Sequence, residues 1–202
     1  MQYLCYSYRS CKKPPIDAEM ALICPETAFV VALTRGDKLA PLGKNWPFLP
    51  RGSYLKTMIK FIKIDNTLLA IRNNVLREGK LSHEECIFPT DTLPGAFHLG
   101  YYVGDELVCI ASFHPQAYGE FTGVGYQLRG MATVDEYRGR GLGNQLLNFA
   151  IVYLHGQKAN YLWCNARKSA RQFYLNMGFE TIPPEFEVPD IGPHYVMYVK
   201  IQ

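Results

Sequence analysis

Tyr137-Arg138-Gly139-Arg140-Gly141-Leu142-Gly143 decides how this chain is read. An extended apolar stretch, Tyr126–Val134, leads into it, and Asn144–Leu154, an amphipathic helical pattern, follows directly. A strand, a glycine-rich turn and a helix start, in that order, make an anion site. The first-turn amides of a helix lack acceptors, and the aligned backbone dipoles leave partial positive charge there. Glycine lets such a backbone approach a phosphate, and Arg138 and Arg140 add formal charge. The ligand expected at this turn is a diphosphate.

Outward from the turn, the periodicity predicts a mixed sheet with helices on its faces. Ile59–Ile64 is a strand candidate. A helix follows, capped by Asp65 or Asn66, with Leu68, Leu69, Ile71, Val75 and Leu76 on its buried side. Phe97–Val103 and Leu107–Phe113 flank Gly104-Asp105-Glu106 and read as a hairpin. Gln127–Val134 is the next strand. The helix over about 142–155 carries Leu142, Leu146, Leu147, Ala150, Ile151 and Leu154 as its buried stripe. Asn160–Ala166 is a strand, Lys168–Asn176 a short helix stopped at Gly178, and Tyr195–Ile201 a final strand. Phe186–His194, with two prolines and a glycine, reads as a loop. Its Phe186, Glu187, Asp190 and His194 suggest a specificity loop for a cationic or aromatic amine.

Before Met58 the character changes. Residues 1–57 hold scattered prolines and glycines, and only Thr27–Leu33 has strand-like content. They are expected to be an N-terminal extension of unknown role, with the functional domain over 58–202.

Composition narrows the class. The 202 residues are 48% hydrophobic and 19% charged, which suits a globular chain with an ordinary core. A formal charge of +3 gives no case for nucleic acid, and no apolar run reaches a membrane span of roughly 18–20 residues. The N-terminus shows no signal-peptide pattern, so a cytoplasmic location is expected. Cysteines 5, 11, 24, 86, 109 and 164 show no Cys-x-x-Cys pair and no matched histidine spacing. They are therefore expected to be reduced thiols, with no metal site.

Two motifs now stand in order: Arg138-x-x-Gly141-x-Gly143 after a strand, then Asn165, Ala170-x-x-Phe173-Tyr174 and Gly178-Phe179. Together they resemble the acetyl-CoA loop and the downstream signature of the GNAT superfamily of N-acetyltransferases, over roughly 58–202. The resemblance implies an α+β fold of the acyl-CoA N-acyltransferase kind, a central twisted mixed sheet flanked by helices. It implies acetyl-CoA as co-substrate and direct transfer of the acetyl group to a primary amine, on a small molecule or a peptide. In the family the strand before the loop splays from its neighbour. Backbone groups of Met131, Ala132 and Thr133 would then hold the pantetheine arm. The amides of Arg138, Gly139, Arg140, Gly141, Leu142, Gly143 and Asn144 would hold the pyrophosphate. Asn165 would orient cofactor or substrate amide, and Tyr174 would protonate the leaving thiolate. A phenol of pKa about 10 can serve a thiolate of about 8.5, because the proton moves only as charge develops on sulfur.

The general base stays unassigned. Many members carry a glutamate on the strand before the loop, but Gln127–Met131 has no carboxylate, leaving His98, His114, Glu120, Glu187 and His194 as candidates. Other readings remain open. Tyr174 could be a core aromatic, Asn165 a helix cap, and Cys164 a small buried residue rather than a nucleophile. Arg72 and Arg77 could face an acidic substrate or be salt-bridged. A non-catalytic acyl-CoA-binding module and an RNA- or phosphate-binding module built on Arg138 and Arg140 are the alternative functions. A homodimer is compatible with all of them.

Overall fold

A computed structural model describes residues 56–119 and 121–201, together with the backbone of Val31–Ala32. Apart from Lys56 and Thr57, the extension over 1–57 otherwise lies outside the described residues. So does most of the Thr27–Leu33 candidate, of which Val31–Ala32 forms β1 and pairs with Met58 and Ile59.

The strands that follow are β2 (Thr57–Ile62), β3 (Phe97–Val103), β4 (Glu106–Pro115) and β5 (Gly125–Thr133). Beyond them lie β6 (Tyr161–Arg167), β7 (Glu180–Val188) and β8 (Gly192–Lys200). They form one sheet in the order β1-β2-β3-β4-β5-β6-β8-β7. β5 and β6 are its parallel pair; the other neighbours run antiparallel. The helices are α1 (Asn66–Arg77), α2 (Leu142–Gly156) and α3 (Arg171–Asn176). This is the mixed sheet with flanking helices that the periodicity predicts.

Local chemistry accounts for most boundaries. The Asp65 carboxylate accepts from Leu68 N–H at 2.8 Å, capping α1. Along α2, Leu146, Leu147, Ala150 and Leu154 are fully buried against β4 and β5, whereas Ile151 is half-buried. Each such leucine contributes about 1.5–3 kcal/mol by leaving water, so this stripe anchors the loop that precedes it. α1 covers the opposite side of the sheet, where Leu68, Leu69 and Ile71 pack on Leu107, Ile110 and Ala132.

Three expectations need correction. Phe186–His194 is no loop: Phe186 and His194 are cross-strand partners in the β7–β8 hairpin, whose turn is only Pro189–Ile191. Prolines at 183 and 184 masked β7 in the sequence, and they are tolerated because β7 is an edge strand. The β3–β4 turn is the two residues Gly104-Asp105, since Val103 pairs with Glu106. Lys168–Asn176 is also not one helix, because a 3-10 turn over Lys168–Ala170 precedes α3.

Candidate active site

The parallel pairing of β5 and β6 runs from Gly125–Tyr161 to Leu128–Cys164 and stops there. Beyond it each strand keeps its other neighbour: β5 pairs with β4 as far as Thr133–Cys109, and β6 with β8 as far as Arg167–His194. The two strands therefore splay, and among the described residues the edge of β5 from Arg129 onward has no strand partner on that side. A bulge starts the divergence. Between Ser112–Arg129 and Ile110–Ala132, β5 spends one residue more than β4, and Gly130 takes φ +60° there. A cleft of about 870 Å³ fills the gap.

One end of the cleft is the glycine-rich turn. The first bond within α2 is Gln145 N–H to the Gly141 carbonyl at 3.1 Å, so the amides of Leu142, Gly143 and Asn144 precede it. All three residues line the cleft, as do Arg138, Gly139 and Gly141. The glycines have different reasons to be glycine. Gly139 and Gly141 take φ +73° and +75°, with open space where a Cβ would stand. A Cβ on Gly143 would instead lie 3.0 Å from Met131 Cε, so this glycine lets α2 approach β5.

The two arginines of the turn diverge. Arg138 lines the cleft, donates from Nε to the Thr133 carbonyl at 3.2 Å and pairs with Asp135 at 2.8 Å. Arg140 is not among the lining residues; it donates to the Glu136 carbonyl at 2.6 Å and lies over the Tyr137 ring. Met131, Ala132 and Thr133 border the cleft along β5. The Thr133 hydroxyl, however, donates to Cys109 Sγ at 3.1 Å, so its side chain faces inward.

Strand alternation separates the remaining groups onto the two sides of the sheet. Leu128, Cys164 and Tyr174 belong to the core beneath α2 and α3. Tyr174 is 8% exposed, places its hydroxyl 3.9 Å from Met131 Sδ and packs between Phe173 and Phe179. Burial, and then the neighbouring Cys164, hold its phenol well above the ordinary range. Cys164 is likewise buried and its thiol is pushed far up, which removes it as a nucleophile at neutral pH. Cys109, beside Thr133, is pushed up by burial to about 11.

The opposite side carries Arg129 of β5, just before the bulge reverses the alternation, and Asn165 and Arg167 of β6. Arg129 lies 4.1 Å over the Phe88 ring, with Arg72 at 4.1 Å from the same ring centroid. Arg167 reaches across to the Leu76 carbonyl at the end of α1, at 2.6 Å. His194 is the cross-strand partner of Arg167 and so projects to the same side. Its Nδ1 lies 2.7 Å from the Gly192 carbonyl. A carbonyl only accepts, so Nδ1 carries a proton, and the nitrogen left to exchange one is Nε2. Asn165, two residues before Arg167 on β6, is exposed and lines the cleft, consistent with contact to a bound molecule.

The base candidates separate clearly. Among the described residues, His194 lines the cleft, whereas His98, His114 and Glu187 do not. Glu187 and Asp190 are exposed on the β7–β8 hairpin. Glu120 lies outside the described residues.

His98 and His114 belong to a buried network centred on Asp91. Its carboxylate accepts from Arg72 Nη1 at 2.8 Å, His114 Nε2 at 3.0 Å and Phe88 N–H at 2.8 Å. Arg72, 1% exposed, also donates to the Cys86 carbonyl and to Ser112 Oγ. Accepting from Arg72 leaves the Ser112 hydroxyl its proton, which it can donate to His98 Nδ1 at 2.9 Å. His98 Nε2 faces the Asp91 carbonyl at 3.3 Å, which only accepts, so Nε2 is protonated. Burial lowers the His98 pKa and so favours the neutral ring. Asp91, His98 and His114 have the make-up of a metal-ligand set, but a guanidinium already neutralises the carboxylate, and a cation beside it would be repelled. Arg72 is therefore structural, not substrate-facing.

The sequence reading missed Arg129, Arg167 and Phe88 as cleft residues. Alternation along β5 and β6 was the available signal for the arginines. Which side of the sheet faces a ligand, though, depends on where α1 packs.

This geometry has counterparts. A family model described as an acetyltransferase (GNAT) domain matches residues 90–198. The uncharacterized N-acetyltransferase YitI of Bacillus subtilis (strain 168) is 37% identical over 141 residues, spanning 69% of this chain and 93% of that protein. FeeM, an N-acyl amino acid synthase from uncultured soil microbes, superposes with a TM-score of 0.61 at 11% identity, over 73% of this chain and 92% of that one. An aminoglycoside 6'-N-acetyltransferase in complex with coenzyme A gives 0.56 at 15% identity, over 70% and 97%. ElaA of Escherichia coli gives 0.56 at 20%, over 70% and 99%. By domain match and by relatedness to YitI, the chain belongs to the GNAT acetyltransferase family, whose members move acyl groups from coenzyme A.

Proposed function

We propose that this protein acetylates a primary amine by direct attack on acetyl-CoA in a ternary complex. One observation carries the reading: an acid candidate and a base candidate sit on opposite sides of the sheet and share a space only where β5 and β6 splay. The pyrophosphate would rest on the amides of Gly139–Asn144, and the pantetheine would run along the open edge of β5 like an added strand. The gap closes at the buried Leu128–Cys164 pair, which favours a short acyl group.

The chemistry follows from those positions. His194 Nε2 takes a proton from the incoming ammonium, releasing the nitrogen lone pair. That lone pair forms the C–N bond at the thioester carbon, and the carbonyl oxygen gathers charge against β5 amides. The C–S bond then breaks, its electron pair leaves on sulfur, and Tyr174 supplies the proton that makes the free thiol. A phenol held protonated by burial suits this task, since it gives up its proton only to a charge forming beside it.

The test is thiol release from acetyl-CoA in the presence of mixed primary amines. Tyr174→Phe should lower kcat by roughly 10²–10⁴-fold while leaving acetyl-CoA affinity unchanged. His194→Gln should lose activity near neutrality and recover as rising pH deprotonates the free amine. Tight acetyl-CoA binding with no transfer to any amine would replace this reading with the non-catalytic acyl-CoA module.

A further inference from the structure

Four arginines line the cleft, Arg77, Arg129, Arg138 and Arg167, and among its described lining residues there is no aspartate or glutamate. Arg138 belongs to the pyrophosphate end. The other three lie at the opposite mouth, on the α1 side with His194. Arg77 ends α1, Arg167 bonds to the carbonyl of the residue before it, and Arg129 opens the splay on β5.

Among the described residues, no carboxylate lies within ion-pair distance of any of the three. The nearby Asp91 is committed to Arg72 and His114. Burial lowers the affinity of Arg129 for its proton, and Arg72 and Arg77 lower it further against the pull of Asp91. Burial and then Arg77 do the same to Arg167, against the pull of Glu78. The Arg129 guanidinium lies 4.1 Å from the Phe88 ring centroid, and a guanidinium carries its N–H groups in one plane. That plane of donors matches a planar carboxylate. A cationic acceptor such as a polyamine would meet repulsion at this mouth.

We propose that the acceptor is an amine that also carries a carboxylate, with Arg129 and Arg167 binding the carboxylate and Arg77 adding its charge. The carboxylate then fixes the amine in front of His194. This rests on the transfer reading and names the substrate class for that site. It also replaces the cationic or aromatic amine suggested by residues 186–194, whose acidic members stand outside the cleft.

Two measurements separate the proposal from the reading beneath it. First, thiol release from acetyl-CoA is compared for glycine, β-alanine, phenylalanine and glutamate, each beside its carboxamide, with putrescine and phosphoethanolamine as further amines. At least one amino acid should exceed its carboxamide about tenfold in kcat/KM. Arg129→Gln and Arg167→Gln should erase that ratio through KM while leaving the KM for acetyl-CoA unchanged, and Arg129→Lys should restore part of it. Equal or better use of the carboxamides or putrescine would overturn the proposal, and so would preference for phosphoethanolamine. Second, the thermal midpoint of the coenzyme A-loaded protein is followed with succinate and with succinamide, which needs no turnover. A rise with succinate alone, lost in both Gln variants, supports the carboxylate site even if no amine is acetylated. Equal behaviour of the two compounds would sink it.

Discussion

Gly141 and Gly143 lie two positions apart in one turn, yet they answer to different constraints. Gly141 needs φ +75°, which asparagine tolerates and valine does not. Gly141→Asn should therefore keep most acetyl-CoA affinity, whereas Gly141→Val should lose it with the rest of the fold intact, as titration calorimetry would read. Equal losses in both would mean that side-chain bulk rather than backbone conformation is what matters there. Arg138 is half-exposed and already paired with Asp135, so Arg138→Ala should weaken acetyl-CoA only a few-fold, about 1 kcal/mol. The sequence suggested equal roles for Arg138 and Arg140. Only the former lines the cleft, because the turn directs successive side chains apart.

Among the elements, α1 and its buried partners set the acid stability. Asp91 is lowered below the carboxylate range: burial opposes the shift, and the bonds from His114 and Arg72 overcome it. His98 is lowered by burial. Both groups bind protons more readily in the unfolded chain, so each contributes stability that is lost as pH falls. The His98 contribution should begin to fade near pH 6.5, and that of Asp91 below about pH 4. Urea unfolding across that range should show both limbs, and His98→Asn should flatten the first. Asp91→Asn strands Arg72 as a buried charge and should cost about 3–5 kcal/mol. Secondary structure was largely legible from periodicity and caps, α1 and α2 above all. β7 was not, because Pro183 and Pro184 argue locally against a strand and only its edge position permits them. With β7 hidden, His194 read as a loop residue rather than as the partner of Arg167.

For the molecule as a whole, the open question is the segment before Met58. Its residues Val31–Ala32 add a strand to the edge at β2, so a chain of 58–202 alone would expose that edge. The truncated chain should fold and bind acetyl-CoA, since the cleft is built from residues 75 onward, but should aggregate more readily in light scattering. Among the described residues, no helix is long and apolar enough to cross a membrane. Sequence alone determined the strand, glycine-rich turn and helix start at one end of the cleft, because glycine conformation, helix-end amides and hydrophobic period are properties of neighbours along the chain. Tertiary structure alone decided which histidine faces the cleft and that three arginines gather at its mouth, with no acid among the described lining residues. Those facts depend on cross-strand register and on the placement of α1, through contacts such as that of Arg167 with Leu76, 91 positions apart, which no local pattern records.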